Sequence, residues 1–379
     1  MNRKNCFDVI GGDTIQMVKT KEYLERIYGI NIKIGFSEDD IVNYNPNIVH
    51  IFNIQTVDET YEYVRLCKKY GKKIVISSIY WDLIYAKIVS AIWSKKLKTF
   101  NPKGKLSSLL MRILENDFAR NGLISLFKIL LRYKERQNIY KIRKIIELAD
   151  IILPNSDEEA EIIQRHFGTK IKYKVVFNAV DSIFLNDGTH RQIDNSSNIK
   201  LLTVGRIESY KNQYNVMRAL ALLHKKGYNN LSYTLVGKII DYKYFHFIKK
   251  FSEKFKISLS FIEEVDHRSL PSIYKNHHIH VLPSFRESPG LASLEAIASG
   301  CFAIVSKYPY APITSYFSEY LNTLVYICDP FKPTSIADAV ENTILAIKQR
   351  KSIDLNLNKF EFFWERTAQQ TYEAYMCLL

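Results

Sequence analysis

The feature that most constrains this 379-residue chain is an alternation of strand and helix patterns that occurs twice along its length. Short runs rich in β-branched and aromatic residues stand at 7–10, 30–34, 48–52, 74–77, 151–153 and 175–177. Between them lie stretches with helical periodicity, such as TIQMVKTKEYLERIYG and TVDETYEYVRLCKKYG, the second closing on Gly71 as a helix cap. Strand and helix in alternation predict a parallel sheet covered by helices on both faces. Residues 181–198, DSIFLNDGTHRQIDNSSN, are polar, rich in turn formers and without period, which predicts a linker. A second series then follows at 201–204, 233–236, 259–262, 280–283, 302–305 and 324–327. The expected fold class is therefore α/β. It comprises a doubly wound, Rossmann-like domain over 1–180, a second over 199–359, and a terminal helix at 360–379 packing back on the first domain. Two such domains predict a cleft between them. In these sheets ligands bind beyond the C-terminal ends of the strands, so the loops leaving the strands are where chemistry is expected.

Composition excludes several alternatives. With 47% hydrophobic residues the chain can fill two cores, and 14 Gly and 10 Pro are too few for a collagen-like or linker-dominated protein. The five cysteines, Cys6, Cys67, Cys301, Cys328 and Cys377, are scattered and show no C-x-x-C spacing. They predict neither a disulfide framework nor a zinc ribbon and fit a reducing cytoplasm. The start of the chain lacks the apolar core of a signal peptide. The most apolar stretch, 123–131, is interrupted by Lys128, so no membrane-spanning helix is expected.

Charge is unevenly placed. The formal net charge is +14, and residues 87–144 alone carry 15 basic and 3 acidic side chains, 15 − 3 = +12. The basic residues alternate with large apolar ones, and on a helix Lys128, Arg132, Arg136 and Arg143 fall within an arc of about 80°. A solvated helix face covering a core accounts for part of this pattern. Docking on an anionic membrane accounts for the surplus of apolar residues. Nucleic-acid binding lacks any accompanying helix-turn-helix, zinc-finger or RNP-type signature, and no nucleic-acid partner is expected.

Three constellations carry chemistry. In PSFRESPGLASLEAIASGCFAIV a strand ends near Pro283, a turn follows and a helix begins near Gly290. Glu287 sits in the turn and Glu295 inside the helix, too far apart for a tight acid/base dyad but suited to two parts of one elongated ligand. The helix start at Ser288, Pro289, Gly290 and Leu291 offers backbone amides and a positive dipole end to a phosphate. In LLTVGRIESYKN a buried strand delivers Arg206, and Lys211 follows five residues on, a pair of cations suited to a diphosphate. Gly11 and Gly12 open a helix after the first strand pattern and permit close approach of a ligand, without the G-x-G-x-x-G of dinucleotide binding. His277, His278 and His280 cluster without a carboxylate or thiol at ligand spacing, so no metal site is expected.

With these residues in view, the sequence resembles the GT-B-fold retaining glycosyltransferases of glycosyltransferase family four. The family's glutamate pair with seven intervening residues is matched by Glu287 and Glu295 in ESPGLASLEAIASGC, and its V-G-R-x(4)-K-N element by Val204-Gly205-Arg206 and Lys211-Asn212. LPNSDEEAEII, FNAVD and FEFFWERTAQQTYEAY are weaker echoes. The resemblance implies that Arg206 and Lys211 hold the donor diphosphate. Glu287 would face the donor sugar and Glu295 the ribose hydroxyls, with Gly11 and Gly12 across the cleft. Two places depart from the family. ISSIYWD puts Tyr80, Trp81 and Asp82 where a histidine is usual, making Tyr80 a candidate substrate contact. Val236-Gly237-Lys238 keeps one glycine of a richer turn, with Lys238 a candidate phosphate contact. The implied activity is metal- and cofactor-independent, retaining transfer from a UDP- or GDP-linked sugar. With the basic segment, the expected acceptor is a lipid-linked glycan of bacterial surface polysaccharide synthesis, at the inner face of the cell membrane. A soluble acceptor, or a non-catalytic module binding nucleotide or polyanion, are the competing expectations.

Overall fold

The computed structural model describes residues 1–8, 11–99, 112–134, 136–185, 198–349 and 360–379. The chain divides into two compact units: Met1–Trp81, Ile129–Val180 and Glu361–Leu379 form the first, Asp82–Lys128 and Asp181–Phe360 the second. All five cysteines are free thiols, four of them buried. Among the described residues no helix is long and apolar enough to cross a membrane.

The first unit is built on three parallel strands in the order β1 (Ile48–Phe52), β2 (Lys73–Ser77) and β3 (Ile151–Leu153). Alternation along β2 splits its side chains between two cores. Ile74 and Ile76 join Tyr63, Val64 and Ile145 on one face. Val75 joins Leu24, Leu153, Trp364 and Ala368 on the other. That second face holds the C-terminal helix Trp364–Met376 against helix Gly12–Tyr28, with Tyr372 stacked on Tyr28 at 4.0 Å.

Two predicted strands of this unit do not form, and a third falls partly outside the described residues. Residues 4–8 make turns, with Phe7 half exposed, and residues 9–10 lie outside the described residues. Residues 30–34 keep their in–out alternation but pair with no strand. Their backbone is served by side chains instead: the Ile32 amide donates to Glu25 Oε1 (3.2 Å) and Tyr44 Oη donates to the Asn31 carbonyl (2.7 Å). Residues 175–177 run beside β3, where only the single bridge Ile152–Tyr173 is made. The pattern dictates which side chains turn inward, and the backbone's partners are settled by what else is within reach.

The second unit carries six parallel strands: β4 (Ile199–Val204), β5 (Leu231–Val236), β6 (Ser258–Ile262), β7 (Ile279–Leu282), β8 (Phe302–Ser306) and β9 (Val325–Cys328). Their order is β6-β5-β4-β7-β8-β9, so the direction of winding reverses between β4 and β7. β7 and β8 are buried at every residue, which is why they read as unbroken apolar runs.

The basic segment 87–144, expected wholly within the first domain, is divided: residues up to 128 belong to the second unit. The cause is three anchors. Trp93 is buried among Tyr214, Tyr244 and Phe247 at ring distances of 5.1, 4.9 and 5.3 Å. Arg120, 4% exposed, pairs with buried Asp329 at 3.2 Å and lies over the Phe331 ring. Glu115 pairs with Arg218 at 2.7 Å. Arg143, one of the four aligned cations, is turned onto the first unit, where its Nε donates to the Phe167 carbonyl (2.8 Å). The side chains of Lys128 and Arg132 lie outside the described residues. Of the predicted linker 181–198, the start belongs to the second unit, with Phe184 fully buried. Residues 186–197 lie outside the described residues.

Candidate active site

The reversal between β4 and β7 is where a doubly wound sheet opens a crevice at its C-terminal edge. β4 gives way to Gly205 (φ 146°) and β5 to Gly237 (φ 138°). The two turns lie against each other: a Cβ on Gly237 would stand 2.4 Å from the Gly205 carbonyl oxygen. Only glycine permits that approach. Beyond it, Gln213 Nε2 donates to the Arg206 carbonyl (2.9 Å). Asn212 Nδ2 donates to the carbonyls of Pro283 (2.8 Å) and Pro330 (2.7 Å), tying the β4 loop to the β7 loop.

That tie brings the two sequence constellations together. Lys211 Nζ meets Glu287 Oε1 at 2.6 Å, and the side chains are 16% and 11% exposed. Burial pulls the Lys211 ammonium down, but Glu287 and Tyr210 beside it prevail and hold its pKa above the ordinary value. Glu287 is fixed from behind, its amide donating to the Tyr310 carbonyl (2.8 Å). Arg206 is half exposed; its Nε lies 2.8 Å from Glu208 Oε1 and its Nη2 donates to the Tyr210 hydroxyl. Ser288 and buried Pro289 lead to Gly290 (φ 91°), which starts helix Leu291–Ala298. A Cβ on Gly290 would lie 3.3 Å from Glu287 Oε2, so glycine here also makes room for the carboxylate. The Ser293 and Leu294 amides donate to the Gly290 carbonyl (2.9 and 3.4 Å), so those of Leu291 and Ala292 are the ones without a partner inside the helix. Lys238 is exposed on the adjacent turn.

Glu295, 7% exposed, is held on both oxygens. His267 Nε2 lies 3.0 Å from Oε1, and the Tyr274 hydroxyl 3.1 Å from Oε2. The same hydroxyl lies 3.0 Å from the Ala292 carbonyl, so one proton faces two acceptors. Oε2 therefore retains unsatisfied accepting capacity, which a ligand hydroxyl would meet. Burial, then the Glu295 charge, push the Tyr274 phenol well above its ordinary pKa and keep it a donor. Under this layer His280 is fully buried; burial, then Lys211 and His277, push it down to about 3, so it is neutral.

The first-unit candidates stand as follows. Gly11 precedes helix Gly12–Tyr28, and a Cβ there would meet Asp13 Oδ1 at 2.7 Å; Asp13 is itself held by Arg3 at 2.8 Å. Gly12 is exposed, with open space at its Cβ position. Tyr80 is committed to the core: its hydroxyl meets His166 Nδ1 at 3.0 Å and its ring packs on Phe167. Trp81 is fully buried, and Asp82 accepts from the Ile84 amide (2.9 Å). Tyr80 thus packs where a ligand contact was expected, because His166 and Phe167 arrive from a helix eighty residues later.

Sequence reasoning missed His267, Tyr274 and Tyr210. Only Tyr210 carried a local signal, as the aromatic residue preceding Lys211 in ESYKN. The histidine cluster disperses onto separate partners: His277 on Ile273 and Thr234, His278 on the Lys200 amide, His280 beside Ser293. Among the described residues no three His, Cys, Asp or Glu side chains are grouped to hold a metal ion.

Residues 189–359, which contain this site, match the family described as glycosyl transferases group 1. The D-inositol 3-phosphate glycosyltransferase of Paenarthrobacter aurescens is 24% identical over 350 residues, covering 87% of this chain and 78% of that protein. That of Corynebacterium glutamicum is 25% identical over 251 residues, 62% of this chain and 58% of that protein. Among solved structures, Anabaena HepE in complex with UDP and glucose superposes with a TM-score of 0.65 at 12% identity, over 97% of this chain and 96% of that one. Sucrose-phosphate synthase from Thermosynechococcus elongatus gives 0.62 at 15% identity, over 99% and 79%.

Proposed function

Because this chain is a group 1 glycosyltransferase on a GT-B fold and uses a nucleotide sugar, we propose that the β4–β7 crevice holds the donor diphosphate between Lys211, Arg206 and the amides at Gly290. The observation that carries this reading is the Lys211–Glu287 pair: a cation kept charged where the strand order reverses, beside a helix start. Glu295 takes the ribose hydroxyls through its under-served Oε2. Glu287 holds Lys211 in place and faces the transferred sugar. As the bond from the anomeric carbon to the diphosphate oxygen breaks, negative charge grows on the leaving group. Lys211, Arg206 and the helix start stabilise that charge without a metal. The acceptor oxygen bonds to the anomeric carbon from the same face and gives its proton to the departing diphosphate, so configuration is retained. UDP is the proposed nucleotide, the one bound in the HepE complex.

The proposed acceptor is a lipid-linked glycan at an anionic membrane surface, supported by the +12 charge of residues 87–144 among large apolar residues. A soluble phosphorylated polyol is the second reading, favoured by the inositol phosphate in the names of both curated relatives. The test of the donor site is thermal unfolding with UDP, GDP, CDP, ADP and dTDP in the presence of chelator. A ligand at 100 times its Kd adds about 2.7 kcal/mol to stability. A shift with UDP alone supports the reading. A shift that needs added metal overturns its metal-free form, and no shift with any diphosphate overturns the site.

A further inference from the structure

Helix Tyr242–Phe255 of the second unit carries two apolar stripes where a surface helix needs one. Tyr244 and Ile248, fully buried, serve the core. Phe247, Phe251 and Phe255 form a neighbouring row of half-buried rings, the first two packed in part on Tyr214 at 5.1 and 5.3 Å. At about 100° per residue, Lys243, Lys250 and Lys254 fall within about 40° of one another, directly beside that row. All three lysines are exposed, and Glu253 is the only carboxylate between Tyr242 and Lys256.

The ground at both ends of the helix is open. At its C-terminal end Phe251, Phe255 and Leu222 line a hollow of about 490 Å³ together with the Glu115–Arg218 ion pair, with Lys225 exposed at the rim. At its N-terminal end Ile240 and Tyr242, 49% and 67% exposed, line a second hollow of about 520 Å³ with Trp93 and Lys243, and with Glu208 and Asp241 on its polar side. Trp93 belongs to the basic, apolar segment 87–144 and packs on Phe247, so that segment and this helix meet on one unit.

We propose that this face, the Lys243–Lys250–Lys254 stripe with the aromatic row and the two hollows beside it, docks on an anionic lipid bilayer. The proposal rests on the membrane reading above and places the docking surface on the donor-binding unit. Lysines interact with lipid phosphates while their stems and the adjacent rings occupy the interfacial region, the arrangement of a helix lying in a membrane surface. Charge complementarity selects the occupant: three exposed lysines stand on one stripe beside a row of half-buried rings, a surface that suits anionic headgroups with the upper acyl region beneath them.

Full-length protein is sedimented with vesicles of phosphatidylcholine alone and of phosphatidylcholine with phosphatidylglycerol, at low and high salt. At about fivefold per lysine, K243A/K250A/K254A weakens binding to the anionic vesicles about a hundredfold, while its unfolding temperature and its shift with UDP stay those of the parent protein. A parallel variant, K128E/R132E/R136E, separates this proposal from the broader membrane reading. If that variant loses vesicle binding and the triple alanine variant keeps it, the helix is not the docking surface and the membrane reading stands. If the parent protein sediments with neither vesicle, both fall. Full release of bound protein by millimolar glycerol phosphate would identify the hollow as an anion site and overturn the bilayer as its occupant.

Discussion

Replacing Glu287 by Gln tests the core of the site, because it keeps the volume and removes one charge from a pair 2.6 Å apart. At an effective dielectric of about 20 the gross attraction at that distance is about 6 kcal/mol. Desolvation of both groups offsets much of it, and neither side chain is completely buried. Leaving Lys211 without its counter-charge is therefore expected to cost about 2–4 kcal/mol of stability. The same change makes the Lys211 ammonium more available to a diphosphate, since the carboxylate that competed for it is gone. Diphosphate binding should tighten by about 1–2 kcal/mol, five- to thirtyfold, while sugar transfer falls by at least about a hundredfold. Urea titrations with and without UDP, together with single-turnover transfer, read all three quantities. A variant with unchanged stability and unchanged diphosphate affinity would refute the charge coupling. Tighter binding with unchanged transfer would leave the coupling intact and remove Glu287 from the reaction.

Other consequences follow from packing and burial. Gly237→Ala puts a methyl group 2.4 Å from a backbone oxygen at φ 138°, and should cost at least about 3 kcal/mol in urea unfolding and abolish the UDP shift. His280 stays neutral in the fold down to about pH 3, whereas in the unfolded chain it takes up a proton near 6.5. The unfolded state thus binds more protons between those values, and stability falls on acidification by about 1.4 kcal/mol per pH unit, about 2 kcal/mol at pH 5. His50 in the first unit, pushed down by burial, adds to the same slope, and His280→Gln should remove its own share of it in denaturant titrations at pH 7 and 5. Arg120→Met leaves Asp329 with Lys307 and the Phe331 amide, each at 3.0 Å, and should destabilise the second unit by about 2–3 kcal/mol by calorimetry.

The second unit was far more legible in the sequence than the first. Strands buried on both faces, such as IHVL and FAIVS, announce themselves as apolar runs, and all six predicted strands of that unit form. In the first unit the alternation of Ile30, Ile32 and Ile34 gives burial correctly and pairing wrongly, because Glu25 and Tyr44 supply hydrogen bonds that no local pattern encodes. The Glu287–Lys211 contact was approachable because each residue lies in a recognisable loop after a strand. His267 and Tyr274 were not, since they reach Glu295 across 28 and 21 residues from the β6–β7 connection. The placement of residues 82–128 was hidden for the same reason. Trp93 is an ordinary apolar residue in AIWSKK until Tyr214, Tyr244 and Phe247 surround it.

Arg206 is paired with Glu208, Lys211 with Glu287, and Glu295 with His267. The formal sum over Arg206, Lys211, Glu208, Glu287 and Glu295 is two cations against three carboxylates, a net of −1, and Lys238 on the adjacent turn brings it only to zero. A diphosphate is therefore not drawn in by overall charge; it exchanges places with carboxylates already at contact distance. The Lys211–Glu287 contact, 2.6 Å long with both side chains largely buried, lies well inside the screening length, about 10 Å at 0.1 M salt. The lysine stripe of helix Tyr242–Phe255 is exposed and acts on a charged surface through solvent, where screening is fully effective. Diphosphate affinity should thus change by less than about threefold as salt rises from low to physiological strength, while attachment to anionic vesicles falls by more than about tenfold. Measuring both on one preparation separates the two uses of positive charge in this chain. Equal salt dependence would mean that the crevice recruits its ligand by long-range attraction, contrary to the local exchange argued from its ion pairs.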